Sequence, residues 1–199
     1  MVPESKSETP PMYTAQKLEK DISATPTRSV QSLAFEAMWR DLPRENLIPL
    51  RSAFRPERAA RLLANILLID IDPTPPVRTR IRLVGGALRN LAEMDLTGQD
   101  YLDLVPDRAY QAAHLRLCAL HPCATWSAAP VIYERGYNSL NEITHFPLID
   151  DASGAHMGLV LMFEIGSDLP EYSQTGRPIE MRPAIAKTFI DIGAGIPAI

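Results

Sequence analysis

Apolar residues at Val30, Leu33, Ala34, Ala37 and Met38 recur at i, i+3, i+4, i+7 and i+8, the spacing of one helical face. Ser29 stands where an N-cap belongs and Trp39 closes the segment. A helix of about a dozen residues is marginal in water by itself, so this one must pack on the domain or on a partner. A second short helix is expected over residues 56–64, because Pro56 suits a first helical turn. Residues 66–69 (Ile, Leu, Leu, Ile) then form an unbroken β-compatible run, which implies a strand buried on both faces before Asp72-Pro73 and Pro75-Pro76 turn the chain. Arg78, Arg80 and Arg82 alternate with Thr79, Ile81 and Leu83, the period of a strand with one wet face.

Gly85-Gly86 would weaken a helix interior and is better placed at the turn into a helix carrying Ala87, Leu88, Leu91 and Ala92, which residues 95–98 end. Another helix is expected over residues 108–121, stopped by Pro122, with Tyr110, Ala113, Leu117 and Leu120 on its inner side. Three strands follow, at residues 127–133, 141–149 and 157–164. The turn-forming segments 135–138 and 150–154 separate them, so they should make an antiparallel meander. The simplest sheet sets the two wholly apolar strands, near residues 66 and 160, side by side. The helical middle then packs on one face and the helix of residues 30–39 covers the other.

The ends read differently. Residues 1–28 are rich in Ser, Thr, Pro, Lys and Glu with no apolar period, which predicts a disordered tail. Beyond Gly166, Pro170, Pro178, Pro183 and Pro197 interrupt every possible element. Residues 167–199 are therefore expected to be mostly disordered, with only residues 185–190 weakly foldable. This leaves one domain over residues 29–166 of the 199-residue chain.

Composition narrows the function classes. Lys+Arg 20 against Asp+Glu 24 gives a formal charge of -4, so no general attraction to nucleic acid or anionic membrane is built in. The two cysteines, Cys118 and Cys123, have neither CxxC nor zinc-finger spacing and read as free thiols of a reducing compartment. The apolar runs fall well short of the ~20 residues needed to cross a bilayer, and the first residues lack the apolar core of a signal peptide. A cytoplasmic location is the expectation.

Trp39, Leu42-Pro43, Pro49, Arg61-Leu62-Leu63, the run RIRLVG ending at Gly85, Asp95-Leu96-Thr97-Gly98, Pro106 and Phe146-Pro147-Leu148 ahead of Asp150-Asp151 form a pattern. It resembles the PAS superfamily, specifically the small stand-alone PAS-like proteins of alphaproteobacteria, over about residues 35–163. The resemblance implies an α+β fold: a five-stranded antiparallel sheet in the order 2-1-5-4-3, helices on one face enclosing space for a small ligand, and an N-terminal flanking helix. It also implies a sensory or interaction module of signal transduction that senses ligands, dimerises or docks partners. No kinase, cyclase or DNA-binding output region follows, and the cysteine motif of flavin-binding photosensory relatives is missing.

Candidate sites follow from residue chemistry. Met94, Trp126, Tyr133 and His145 are adaptable or polar-tipped residues able to line a ligand pocket between sheet and helices. Val30, Leu33, Ala37 and Trp39 on the first helix, with the cationic row Arg78, Arg80 and Arg82, are candidates for docking a protein partner or a second copy. Charges on an edge strand also discourage aggregation without any partner. His114, Cys118 and His121 occupy one wedge of a helix with Cys123 close behind, ligands zinc accepts, but the spacing is non-standard and ordinary packing explains them, so no metal site is assigned. Four histidines supply no haem signature. There is no phosphate-cradling glycine loop, GxSxG or HExxH, and Asp150-Asp151 fits a turn. The reading is a non-catalytic module. The alternative is a small-molecule-binding or catalytic α+β domain.

Overall fold

The computed structural model describes residues 26–134, 138–167 and 177–198. Its strands are β1 (Ile66–Asp72), β2 (Arg78–Val84), β3 (Ala124–Tyr133), β4 (Asn138–Ile149), β5 (His156–Ser167), β6 (Pro178–Met181) and β7 (Ala186–Ile190). They pair antiparallel in one sheet of order β2-β1-β5-β4-β3-β6, with β7 also on β3. The first five strands take the expected order 2-1-5-4-3, and the α+β architecture is PAS-like. The two apolar strands are neighbours, in register from Ile66 opposite Leu161 to Ile71 opposite His156.

Burial on both faces of β1 explains its composition. Ile66 and Leu68 face one hydrophobic cluster with Phe35, Trp39, Phe146, Leu148, Leu159 and Leu161. Leu67, Ile69 and Ile71 face another with Ile81, Leu88, Leu102, Leu115 and Val160. Each such side chain contributes roughly 1.5–3 kcal/mol on full burial; only toward the end of the strand do Asp70 and Asp72 find room for polar side chains. The first cluster lies under helix α1 (Val30–Arg40); the second lies under α2 (Gly86–Ala92) and α3 (Arg108–Leu120).

Ser29 caps α1 as expected, its hydroxyl accepting from Ser32 N at 3.1 Å. In the β4–β5 turn Asp150 accepts from Ser153 N at 2.9 Å and Ser153 Oγ at 2.6 Å, closing the predicted reversal. Of the other expected hairpin, residues 135–137 lie outside the described residues, as do residues 1–25 of the expected N-terminal tail. Among the described residues, no helix is long and apolar enough to cross a membrane.

Three expectations need correction. The helix of residues 56–64 is instead two 3-10 turns, Pro56–Ala59 and Leu63–Asn65. The chain has to drop straight into β1, and Leu62 N to Ala59 O (2.7 Å) and Asn65 N to Leu62 O (2.8 Å) are three-residue closures. Gly85 packs on the same turn so tightly that a Cβ there would sit 2.4 Å from the Leu63 and Ala64 carbonyl oxygens, which is why the residue ahead of α2 is glycine.

Helix α3 is also rotated relative to the expected face. Leu115 and Cys118 are buried with Gln111, Ala112 and His114 partly so, whereas Tyr110, Ala113 and Leu120 are exposed. A face of mixed small, polar and apolar residues packs inward because it meets a polar stretch of sheet.

Finally, residues 177–198 are not a tail. β7 pairs residues 124–128 of β3 and β6 pairs residues 131–133. Pro130 sits between them: its carbonyl accepts from Arg182 N at 2.8 Å, but it has no N–H to offer the same edge. The partner strand breaks there, and Ile185 N resumes the ladder on Ala128 O at 2.9 Å.

Candidate functional site

On the first face of the sheet, α1 is fastened by polar contacts as well as by packing. Glu142 of β4, 1% exposed, accepts from Ser29 N at 2.9 Å, from the Ser29 hydroxyl and from Trp126 Nε1. A buried carboxylate is costly unless each oxygen is paired; here three donors and the positive end of α1 meet it. Ser32 Oγ shares a 2.8 Å hydrogen bond with Thr144 Oγ1, and Trp39 Nε1 donates to Pro147 O at 2.9 Å. The Trp39 ring stacks on Phe146 at 4.9 Å, and Phe35 meets Phe146 edge-on at 5.7 Å. Arg44 covers Trp39 from outside, 4.3 Å from the ring centre. Burial would push the Glu36 carboxyl up, but hydrogen bonds from Arg28 and Arg40 outweigh it and hold the group below its ordinary value.

The opposite side of α1 is different. Val30 is 74% and Leu33 51% exposed, and Ala34 and Ala37 are exposed with them. They leave an apolar stripe at i, i+3, i+4 and i+7 turned to solvent. Three of the four expected docking residues of this helix, Val30, Leu33 and Ala37, therefore stand on the free face. Trp39 does not: it is wholly buried against the sheet, because the indole fits beside Phe146 and its N–H finds a carbonyl there. The spacing alone could not show that the sheet-facing set is Ser32, Phe35 and Trp39, since both faces carry apolar residues.

The cationic row lies where expected, on edge strand β2, with Arg78, Arg80 and Arg82 all exposed. Two are engaged locally. Arg82 Nε is 2.5 Å from Asp70 Oδ2 and Arg78 Nε is 3.8 Å from Asp72 Oδ2, pairs across to β1.

The second face of the sheet holds two adjoining cavities. One, of about 50 Å³, is bounded by β3, β4, β7, α3 and the β6–β7 connection. His145 lies in it at 6% exposure, and neither ring nitrogen has a hydrogen-bond partner among the described residues. Burial, and then the neighbouring His114, pull its pKa down to about 4. His114, stacked on Phe189 at 5.1 Å, is likewise lowered to about 4 by burial and by Lys187. The second cavity, about 490 Å³, is apolar and open, lined by Leu67, Leu88, Met94, Leu104, Val131 and Met162 among others. Tyr101 and Val105 border both; burial raises the Tyr101 hydroxyl to about 12.

The expected pocket quartet is thus split. His145 lines the small cavity and Met94 the large one. Trp126 borders the small cavity, yet its indole N–H is committed to Glu142 under α1. Tyr133 lines neither: it is 1% exposed, its hydroxyl accepting from Ser139 Oγ at 3.3 Å. Gln111, Thr125, Ser127, Arg182 and Lys187 were missed as lining residues. Alternation along β3 could have nominated Thr125 and Ser127, whereas Arg182 lies in the β6–β7 connection and Lys187 in β7, within the stretch expected to be only weakly foldable.

Cys118 and Cys123 are buried free thiols, and no group of three potential metal ligands assembles among the described residues. The hydrogen bond between the two thiols, and then burial, push Cys118 up; the same hydrogen bond draws Cys123 down against the opposing effect of burial.

Residues 27–124 match the family model described as PAS domain. A solved structure of a fungal LOV domain photoreceptor is similar to this chain at 20% identity, over 69% of this chain and 92% of that one, with a TM-score of 0.37. No curated protein matches the sequence.

Proposed function

We propose that this protein is a non-catalytic PAS-like sensory or interaction module of cytoplasmic signal transduction that works through protein contacts, with its small-molecule cavity tuning them. The carrying observation is the division of α1 into two faces. Ser32, Phe35 and Trp39 lock it to the sheet, while Val30, Leu33, Ala34 and Ala37 present an uncovered apolar stripe. An apolar stripe on a helix held rigidly by its other side is the form that helix-to-helix association takes, and it makes a second copy or a partner helix the natural occupant. The PAS match over residues 27–124 begins just ahead of this helix and supports the same reading.

Light scattering on the intact chain and on a Val30→Asp, Leu33→Asp double variant tests the proposal. The wild type should self-associate and the variant should be monomeric with unchanged circular dichroism. A wild type that is monomeric at high micromolar concentration, or a variant that associates equally well, removes α1 as the contact surface. The alternative, a domain whose primary task is binding a small molecule, is favoured by the partnerless His145 in its cavity.

A further inference from the structure

Cross-strand register places the polar groups of the small cavity side by side on the sheet. Phe189, Thr125, His145 and Val160 form one row across β7, β3, β4 and β5; Lys187, Ser127, Ile143 and Met162 form the next. Directly opposed residues of such rows lie about 4.5–5.5 Å apart at Cβ, so Thr125 stands between His145 and the aromatic wall, with Ser127 and Lys187 one step along. α3 closes the space through Gln111, His114 and Leu115, and the β6–β7 connection closes it through Met181, Arg182 and Ala184.

Two features say what this space is for. The first is the charge of the lining: among the described residues that line it, Arg182 and Lys187 are cationic and none is Asp or Glu. Arg182 Nε is ion-paired with Glu180 Oε1 at 3.3 Å without hydrogen-bond geometry, and Lys187 Nζ rests 3.9 Å over the Tyr110 ring. The second is His145, a nearly inaccessible imidazole with both nitrogens unpaired. A buried polar group without a partner costs about 1–3 kcal/mol, and a ligand that hydrogen-bonds it recovers that cost. The position is enforced by the backbone: a Cβ on Gly158 would lie 2.5 Å from His145 Nε2.

We infer that the small cavity binds a short-chain monocarboxylate anion, its carboxylate held by His145 with Thr125 or Ser127 and balanced by Lys187 and Arg182, and its short apolar end toward Ile69, Ile143 and Val160. The 50 Å³ of space corresponds to roughly three to five water-sized groups, the size of an anion of about four to six non-hydrogen atoms. The inference rests on the ligand-tuned part of the proposed function and gives it a substrate class.

The test uses the full chain with sodium propionate and its neutral analogue propionamide at constant ionic strength, read by the imidazole resonances of His145 and by calorimetry. Propionate should bind saturably at one site and shift the His145 signals; propionamide should bind at least about tenfold more weakly, the weight of a charge-assisted hydrogen bond. His145→Gln should weaken propionate about tenfold or more, and Lys187→Met, at an exposed position of edge strand β7, should weaken it severalfold. Equal binding of propionamide overturns the anion assignment while leaving a ligand-binding cavity. Absence of saturable binding, or undiminished binding by both variants, overturns the site altogether. Neither result touches the α1 contact surface, which light scattering decides separately.

Discussion

Removing the carboxylate of Glu142 should release α1 from the sheet. Glu142→Ala leaves the Ser29 N–H, the Ser29 hydroxyl and the Trp126 indole N–H facing a void under the helix. The substitution leaves three neutral donors without their acceptor, at about 1–3 kcal/mol for each one that stays buried, a large share of the ~5–15 kcal/mol typical of a whole domain. Glu142→Gln is milder, since the amide oxygen still accepts but its NH2 opposes a donor, for about 1–3 kcal/mol. Ser29→Ala removes both a hydrogen bond to the carboxylate and the N-cap on Ser32, the latter worth about 1 kcal/mol. In a double-mutant cycle between Glu142→Gln and Ser29→Ala, the coupling should be about 1–2 kcal/mol, measured by urea unfolding. Hydrogen exchange localises the effect: amides of residues 30–40 should lose protection in the Gln variant while those of β1 and β5 keep theirs. Coupling below about 0.5 kcal/mol, or loss of protection spread evenly over the sheet, would refute the claim that this carboxylate is the fastening of the helix.

The buried His145 makes stability fall in mild acid. Its folded pKa of about 4 lies below the ordinary 6.5, so the unfolded chain binds more protons between those values and stability declines as pH drops through them. His145 alone contributes about 2 kcal/mol of loss between pH 6.5 and 5, and the urea midpoint of His145→Gln should depend less on pH over that range. If both proteins show the same slope, the imidazole is not neutral in the folded state. Gly158→Ala drives a methyl into His145 and Ile69 and should cost about 1–3 kcal/mol, seen as a lowered melting temperature; an unchanged value would mean that the cavity wall is slack. Reversing Arg78, Arg80 and Arg82 to Glu loses only exposed ion pairs, each worth about 0–1 kcal/mol. The fold should survive, and a melting temperature lowered as far as that of a core variant would show a structural role for the row.

The sheet was legible because its informative strands differ in kind: β1 and the apolar part of β5 admit no wet face, β2 admits one, and only a few strand orders satisfy both. The site was less legible for two reasons. Apolar periodicity cannot assign direction when both faces of a helix carry apolar residues, so Trp39 was grouped with Val30 and Leu33 although the sheet claims it. Similarly, the inner side of α3 was sought among Tyr110, Ala113, Leu117 and Leu120, of which only Leu117 is half-buried, whereas the face that packs inward carries Gln111, His114, Leu115 and Cys118. The β6 segment of 4 residues was hidden by Pro178 and Pro183, and the 5 residues of β7 showed only as the weakly foldable stretch 185–190. Such short strands persist only on a ready-made edge, a property of β3 rather than of their own sequence.

That shared edge has a consequence for biosynthesis. β3 leaves the ribosome well before the two short strands that cover it, and at usual elongation rates of about 5–20 residues per second the interval is several seconds. Throughout it, residues 124–133 offer unpaired amides and carbonyls, the template on which nascent chains zip together. Translational pausing between codons 134 and 178 should therefore lower the soluble yield more than an equal pause after codon 191, when the seam is already closed.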